Sequence, residues 1–168
     1  MENRLLIGNI IVLLGSAVMV CVGFIKEKKK ILKFQLAQLI LLAIGNLVLR
    51  GYSGFIANII SSIRNIVCIK FNFNTLLKVI FITVQGTITL LTNTEGIYAL
   101  LPFLGVFVYI AVFDTNDQRI FKGAMILSEI FWCLYYLTIK SYTGFVFAFL
   151  TCISNSIALY SIIKNKSY

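Results

Sequence analysis

The sequence YSGFI at residues 52–56 returns ninety residues later as YTGFV at residues 142–146, and each copy follows a basic residue, Arg50 or Lys140. With the same shift and no gaps, residues 7–67 match residues 97–157 at twelve of sixty-one positions. Apolar composition alone would give about five matches. We interpret the match as an internal repeat. The alternative is a chance similarity between apolar helices.

The composition around this repeat is that of a membrane protein. Of the 168 residues, 60% are hydrophobic and 12% are charged, which is far more apolar than a soluble domain of this size. The chain has no histidine, which excludes Ser-His and Cys-His catalytic pairs and HExxH metal sites. The cysteines form no CxxC motif. We therefore predict no catalytic residues, no metal and no cofactor.

Seven apolar segments are long enough to cross the hydrocarbon layer of a bilayer as helices. A shift of ninety residues passes four segments, an even number, so the two copies of the repeat cross the membrane in the same directions. The prediction is an all-α membrane domain with two parallel three-helix bundles at residues 1–72 and 94–168, joined by a linker helix at 73–93. The predicted segments are 5–24, 34–50, 53–71, 76–92, 96–113, 120–139 and 142–163.

The basic residues predict the orientation of the chain. Three of the fifteen lysines and arginines lie on the N-terminal side of the membrane, eleven lie on the opposite side, and Arg64 lies inside a segment. Because cytoplasmic loops carry the excess of positive charge, we predict an external N-terminus and a cytoplasmic C-terminus. The net charge of +9 is then explained by lipid headgroups, and no nucleic acid is expected.

Asparagines within the segments are candidates for a binding site. Asn58, Ser61, Ser62 and Asn65 follow helical spacing and form one stripe of segment 3, and Asn155 is the repeat equivalent of Asn65. One interpretation is close helix packing in which amides and hydroxyls act as hydrogen-bonding glue. The other is a pocket that binds a small polar solute through Asn58, Asn65 and Asn155, with Arg64 at its edge.

Arg64 and Glu129 are ionisable residues deep within the predicted segments. An isolated charge in hydrocarbon is costly, so one interpretation is a buried charge pair between the two repeats, within hydrogen-bonding or single-water distance. Otherwise Arg64 binds an anionic group of a substrate, or Glu129 carries a proton in coupled transport.

Short motifs also resemble a known family. The basic loop that runs into FQL at residues 34–36, the segment at 54–64 and LPFLG at 101–105 resemble the YgjV-type bacterial inner-membrane proteins. This resemblance implies a bacterial inner membrane and supplies no reaction. More remotely, the layout resembles SWEET and PQ-loop transporters, although Pro102 is followed by Phe103 and not by glutamine. That resemblance implies a substrate held between the third helices of two bundles.

The function that we expect is a small-solute transporter or facilitator, in which one three-helix repeat rocks against the other. The alternative is a receptor, sensor or accessory protein of the same fold, because fold alone does not fix function. An enzyme is not expected, since no acid pair or metal-ligand cluster lies within the segments. One chain is sufficient for a pathway, and a homodimer is the alternative assembly.

Overall fold

The computed structural model describes residues 2–22, 28–71, 73–113, 115 and 117–165. These residues form seven α-helices and one short 3-10 helix, Gly96–Ala99, and they contain no strand. The all-α prediction is therefore confirmed. The helices are α1 Glu2–Val22, α2 Lys28–Val48, α3 Tyr52–Lys70, α4 Thr75–Leu91, α5 Leu100–Ala111, α6 Gln118–Thr138 and α7 Tyr142–Asn165.

Apolar side chains cover much of the outside of the helical bundle, and polar side chains lie among apolar ones in its interior. Many large apolar side chains are exposed, whereas the buried set includes Asn46, Asn58, Arg64, Asn65 and Gln85. In the described part of the chain, three helices are long and apolar enough to cross a membrane: Tyr52–Lys70, Gln118–Thr138 and Tyr142–Lys164. The apolar helices Leu32–Val48, Thr75–Leu91 and Gly96–Ala111 are shorter. The number of crossings and the sides of the termini stay predictions.

The two halves of the predicted repeat share one backbone motif, at the turns between α2 and α3 and between α6 and α7. Arg50 and Lys140 adopt the left-handed conformation, with φ of 63° and 57°. The N–H of Gly51 donates to the Asn46 carbonyl at 2.8 Å, and the N–H of Ser141 donates to the Tyr136 carbonyl at 2.9 Å. Both turns are Schellman motifs, which end a helix and satisfy its last carbonyl groups. The equivalent turns lie ninety residues apart.

Helices pack in two groups that follow chain order. In the first group α2 lies against α1 and α3, and in the second group α6 lies against α5 and α7. The groups meet where α1 contacts α7 and where α3 contacts α5. Helix α4 packs against α3 and α5. These contacts place α1, α2, α3, α5, α6 and α7 around a shared interior.

Candidate functional site

A cavity of about 350 Å³ lies between the two groups of helices. This volume is in the range of small-molecule sites, which are typically ~300–1,000 Å³. Its lining comes from α1, α2 and α3 of the first group and from α5, α6 and α7 of the second. The lining includes Asn58, Ser61, Arg64 and Asn65 of α3 and Glu129, Trp132 and Tyr136 of α6.

The asparagines of α3 present unused hydrogen-bond donors. Asn58 is 2% exposed and Asn65 is 1% exposed, and neither Nδ2 atom has a hydrogen-bond partner among the described residues. A buried donor without a partner costs about 1–3 kcal/mol. Both residues line the cavity, so a polar occupant could satisfy these donors. Ser62, the third member of the predicted stripe, donates instead to the Asn58 carbonyl at 2.8 Å.

Arg64 is held in place by its neighbours on α3 and by aromatic rings at the end of α5. Its Nε and Nη2 atoms donate to Asn65 Oδ1 at 3.3 and 3.0 Å. The guanidinium carbon lies 5.0 Å from the centre of the Tyr109 ring and 5.6 Å from that of Phe113. Cation–π contacts of this kind stabilise a desolvated guanidinium by up to about 2 kcal/mol.

Glu129 shares the cavity with Arg64 but does not pair with it. Both residues line the space, yet Glu129 forms no salt bridge or hydrogen bond within the described residues. Of the two distances predicted from the sequence, the hydrogen-bonded one is therefore absent between these residues. The physical reason is that Asn65, Tyr109 and Phe113 supply the close partners of the guanidinium. An approach through a single water molecule stays a prediction.

Asn155 is placed differently from the other predicted site residues. It is buried, but it is not among the residues that line the cavity. Its Oδ1 accepts a hydrogen bond from Lys122 Nζ at 2.9 Å, and its Nδ2 donates to the Thr151 carbonyl at 2.9 Å. The expected border of Asn58, Asn65 and Asn155 is corrected in this respect, because the Asn155 amide is occupied within the second group.

A comparison with protein families gives a match over nearly the whole chain. Residues 6–166 match the model of the family Imp-YgjV, described as bacterial inner membrane protein. The chain belongs to this family. Comparisons with curated proteins and with solved structures give no match. Membership of the Imp-YgjV family identifies the chain as a bacterial inner-membrane protein, which confirms the membrane predicted from the sequence.

The cavity of this Imp-YgjV family member is built largely from positions that the predicted repeat makes equivalent. Fourteen of its twenty lining residues form seven pairs that are ninety residues apart. Sequence reasoning did not assign Trp132 to the cavity, and the spacing of ninety pairs it with Leu42, which was not a candidate either. The pairs are Ser16 and Val106, Gln35 and Met125, Gln38 and Ser128, Leu39 and Glu129, Leu42 and Trp132, Asn58 and Ala148, and Ser61 and Thr151.

We define two clasps between the groups. One joins Ser53 of α3 to Glu95, which lies just before the 3-10 helix and α5, and the other joins Thr143 of α7 to Asn9 of α1. Both lie at the end of the bundle where α3 and α7 begin. The Ser53 N–H donates to Glu95 Oε1 at 3.0 Å, and the Ser53 hydroxyl donates to Oε2. The Thr143 N–H donates to Asn9 Oδ1 at 3.0 Å. Ser53 and Thr143 are repeat equivalents, so each clasp satisfies the same unpaired amide of a helix start. We call this end of the bundle the clasp end.

Metal binding has no structural support in the described part of the chain. No group of three or more histidine, cysteine, aspartate or glutamate side chains is arranged to hold an ion there. The absence of cofactors stays a prediction.

Proposed function

We propose that this family member is a small-solute transporter or facilitator that works by alternating access. The first three-helix group and the second would rock against each other, and α4 would link them. The observation that carries the proposal is the cavity, because seven pairs of equivalent positions line one space between the groups. A pathway at a two-fold interface is the arrangement found in transporters with parallel repeats.

The chemistry of the cavity wall supports a polar occupant. Within a membrane protein, buried polar groups need a partner or a water-lined space. The unpaired Nδ2 atoms of Asn58 and Asn65 lie at such a space, together with the charged side chains of Arg64 and Glu129. Unpaired donors and two opposite charges around one space support a solute site.

The clasps supply a physical basis for a gate. Both connect one group to the other at the same end, so breaking them would allow the groups to separate there. Tyr135 adds a third connection, since its hydroxyl accepts from the Gly54 N–H at 2.8 Å. With the N-terminus outside, the clasp end faces the periplasm.

Reporter fusions test the orientation on which this gate depends. We expect a fusion at Lys28 to report the cytoplasm and one at Asn93 to report the exterior, because the excess of basic residues stays in the cytoplasm. A fusion at Lys166 is expected to report the cytoplasm, which requires seven crossings. An exterior signal at Lys166 would remove one crossing and contradict the parallel repeat.

A reversible cross-link tests transport. In a variant whose native cysteines are replaced by alanine, Ser53→Cys and Glu95→Cys would be joined by a short reducible bis-thiosulfonate. Proteoliposomes loaded with a labelled bacterial metabolite extract would then be assayed for exchange. We expect exchange to be lost on cross-linking and to return on reduction.

The matched control joins Lys122→Cys to Asn155→Cys, a hydrogen-bonded pair inside the second group. This cross-link should leave exchange intact. Equal loss in both variants, or no exchange of any metabolite, would contradict the transport proposal. Metabolite binding without exchange would favour the receptor or sensor function instead.

A further inference from the structure

We propose that the cavity binds a zwitterion, a solute that carries both a carboxylate and an ammonium group. The proposal rests on the proposed function only in treating the cavity as a solute site. The observation behind it is a separated pair of opposite charges: Arg64 and Glu129 line the same space without contacting each other.

The wall around Arg64 is suited to a carboxylate. A guanidinium has five N–H groups, and two of those of Arg64 donate to Asn65 Oδ1, which leaves three. The unpaired Nδ2 atoms of Asn58 and Asn65 add further donors on the same helix. Planar guanidinium groups recognise carboxylates through paired hydrogen bonds. The Tyr109 ring holds this guanidinium in position.

The wall around Glu129 is suited to an ammonium group. Its carboxylate has no hydrogen bond or ion pair among the described residues. Trp132 follows three residues later on the same face of α6 and also lines the cavity. A carboxylate beside an indole ring attracts an ammonium group by ion pairing and by cation–π contact.

The two charged walls lie at similar depth. Tyr135 bonds the end of α6 to the start of α3, so depth can be counted from that end along both helices. Arg64 lies ten residues from Gly54 and Glu129 lies six residues from Tyr135, both away from that end, a difference of about 6 Å at 1.5 Å per residue. One small solute could therefore reach both.

A solute with a single charge would fit less well. A bare carboxylate would leave Glu129 unpaired beside a second anion, and a bare amine would leave Arg64 without its counter-ion. Each unpaired ion in a site shielded from water is costly. A zwitterion places an opposite charge against each wall, which predicts selectivity for both groups together.

Matched sets of solutes test this selectivity. Purified protein in detergent would be titrated with alanine, leucine, phenylalanine and 4-aminobutyrate, and the unfolding midpoint recorded. Each zwitterion is compared with the acid that lacks its ammonium group and the amine that lacks its carboxylate, such as propionate and ethylamine for alanine. We expect at least one zwitterion to raise the midpoint by about 3 °C. Its single-charge analogues should need at least about tenfold higher concentration.

Two variants assign the charges to their walls. Glu129→Gln should weaken zwitterion binding about tenfold and leave binding of the acid unchanged, while Arg64→Gln should weaken both. Glu2→Gln and Arg119→Gln make the same chemical changes at exposed positions outside the cavity and should alter neither.

The zwitterion proposal is overturned if the acid or the amine alone binds as tightly as the parent zwitterion, if no zwitterion raises the midpoint, or if Glu129→Gln keeps full selectivity. Its failure differs from that of transport. Zwitterion binding without exchange in proteoliposomes would contradict only transport, whereas exchange of another solute without zwitterion binding would contradict only this inference.

Discussion

Helices α3 and α7 occupy equivalent places in the predicted repeat, yet their surroundings differ. Half of the residues in the apolar window of α3 are buried, whereas 11% are buried in that of α7. Arg64 and Asn65 of α3 line the cavity, but their equivalents in α7 do not, since Ser154 is exposed and Asn155 bonds to Lys122. The same position therefore serves the cavity in one copy only.

Helix α4 differs in its contacts with the two helices. It packs against α3 and α5, whereas α7 packs against α6 and α1. A covered helix can hold polar side chains on more than one face, because those faces meet protein and not lipid. The charges of the cavity are therefore unequal between α3 and α7, and so are the contacts of these two helices with α4.

Replacement of the two equivalent glycines should have the largest effect on this comparison. A Cβ atom at Gly54 would overlap the Tyr135 ring and lie 2.7 Å from Asn46 Nδ2, whereas at Gly144 it would lie 2.8 Å from Tyr136 Cδ1. We expect Gly54→Ala to lower the free energy of unfolding by about 3 kcal/mol and Gly144→Ala by about 1–2 kcal/mol, because overpacking displaces well-packed neighbours.

The control for both is Gly123→Ala in α6, where an added Cβ meets nothing within 4 Å. This change should be neutral or stabilise the helix by up to about 1 kcal/mol. Unfolding in denaturing detergent measures all three. A loss at Gly144 that exceeds the loss at Gly54 would reverse the predicted ranking of the two copies.

The clasps are expected to differ because one uses a carboxylate and the other an amide. Glu95→Ala should cost about 1.5–3 kcal/mol, since hydrogen bonds to a charged acceptor are the stronger ones. Asn9→Ala should cost about 0.5–1.5 kcal/mol. The same unfolding assay compares them, with Glu2→Gln as an exposed control. Equal costs would mean that charge adds nothing to the first clasp.

Much of the fold could be predicted from the sequence, because apolar runs mark the helices and the spacing of ninety marks two similar turns. The helices lie at the apolar runs, and similar turns occur at Arg50 and Lys140. The aromatic partners of Arg64 could not be predicted, since the chain has eight tyrosines and fourteen phenylalanines and no pattern selects Tyr109 and Phe113. The position of Asn155 depends on long-range packing, which helical periodicity does not encode.

The partners of Arg64 provide a further comparison of α3 with α7. A double-mutant cycle of Arg64→Leu with Tyr109→Leu should give a coupling energy of about 1–2 kcal/mol, because the two side chains are in contact. The cycle of Arg64→Leu with Glu129→Leu should give a smaller value, since those side chains form no direct pair. Ser154→Leu tests the equivalent site of α7 and should be nearly neutral. A larger coupling to Glu129 would restore the charge pair expected from the sequence.

The accessibility of Ser61 to a reagent on each side of the membrane tests whether the cavity opens alternately to the two sides. Ser61 lines the cavity, and Ser61→Cys is a conservative change that can be made in a variant without native cysteines. Ser154→Cys supplies a control on the exposed side of α7. A charged, membrane-impermeant thiosulfonate would be added to intact spheroplasts or to inside-out vesicles. We expect Ser61→Cys to react from both sides. Cross-linking the clasp between residues 53 and 95 should abolish only the reaction from the periplasmic side. Reaction from one side alone, unchanged by the cross-link, would contradict alternating access and leave a static pocket.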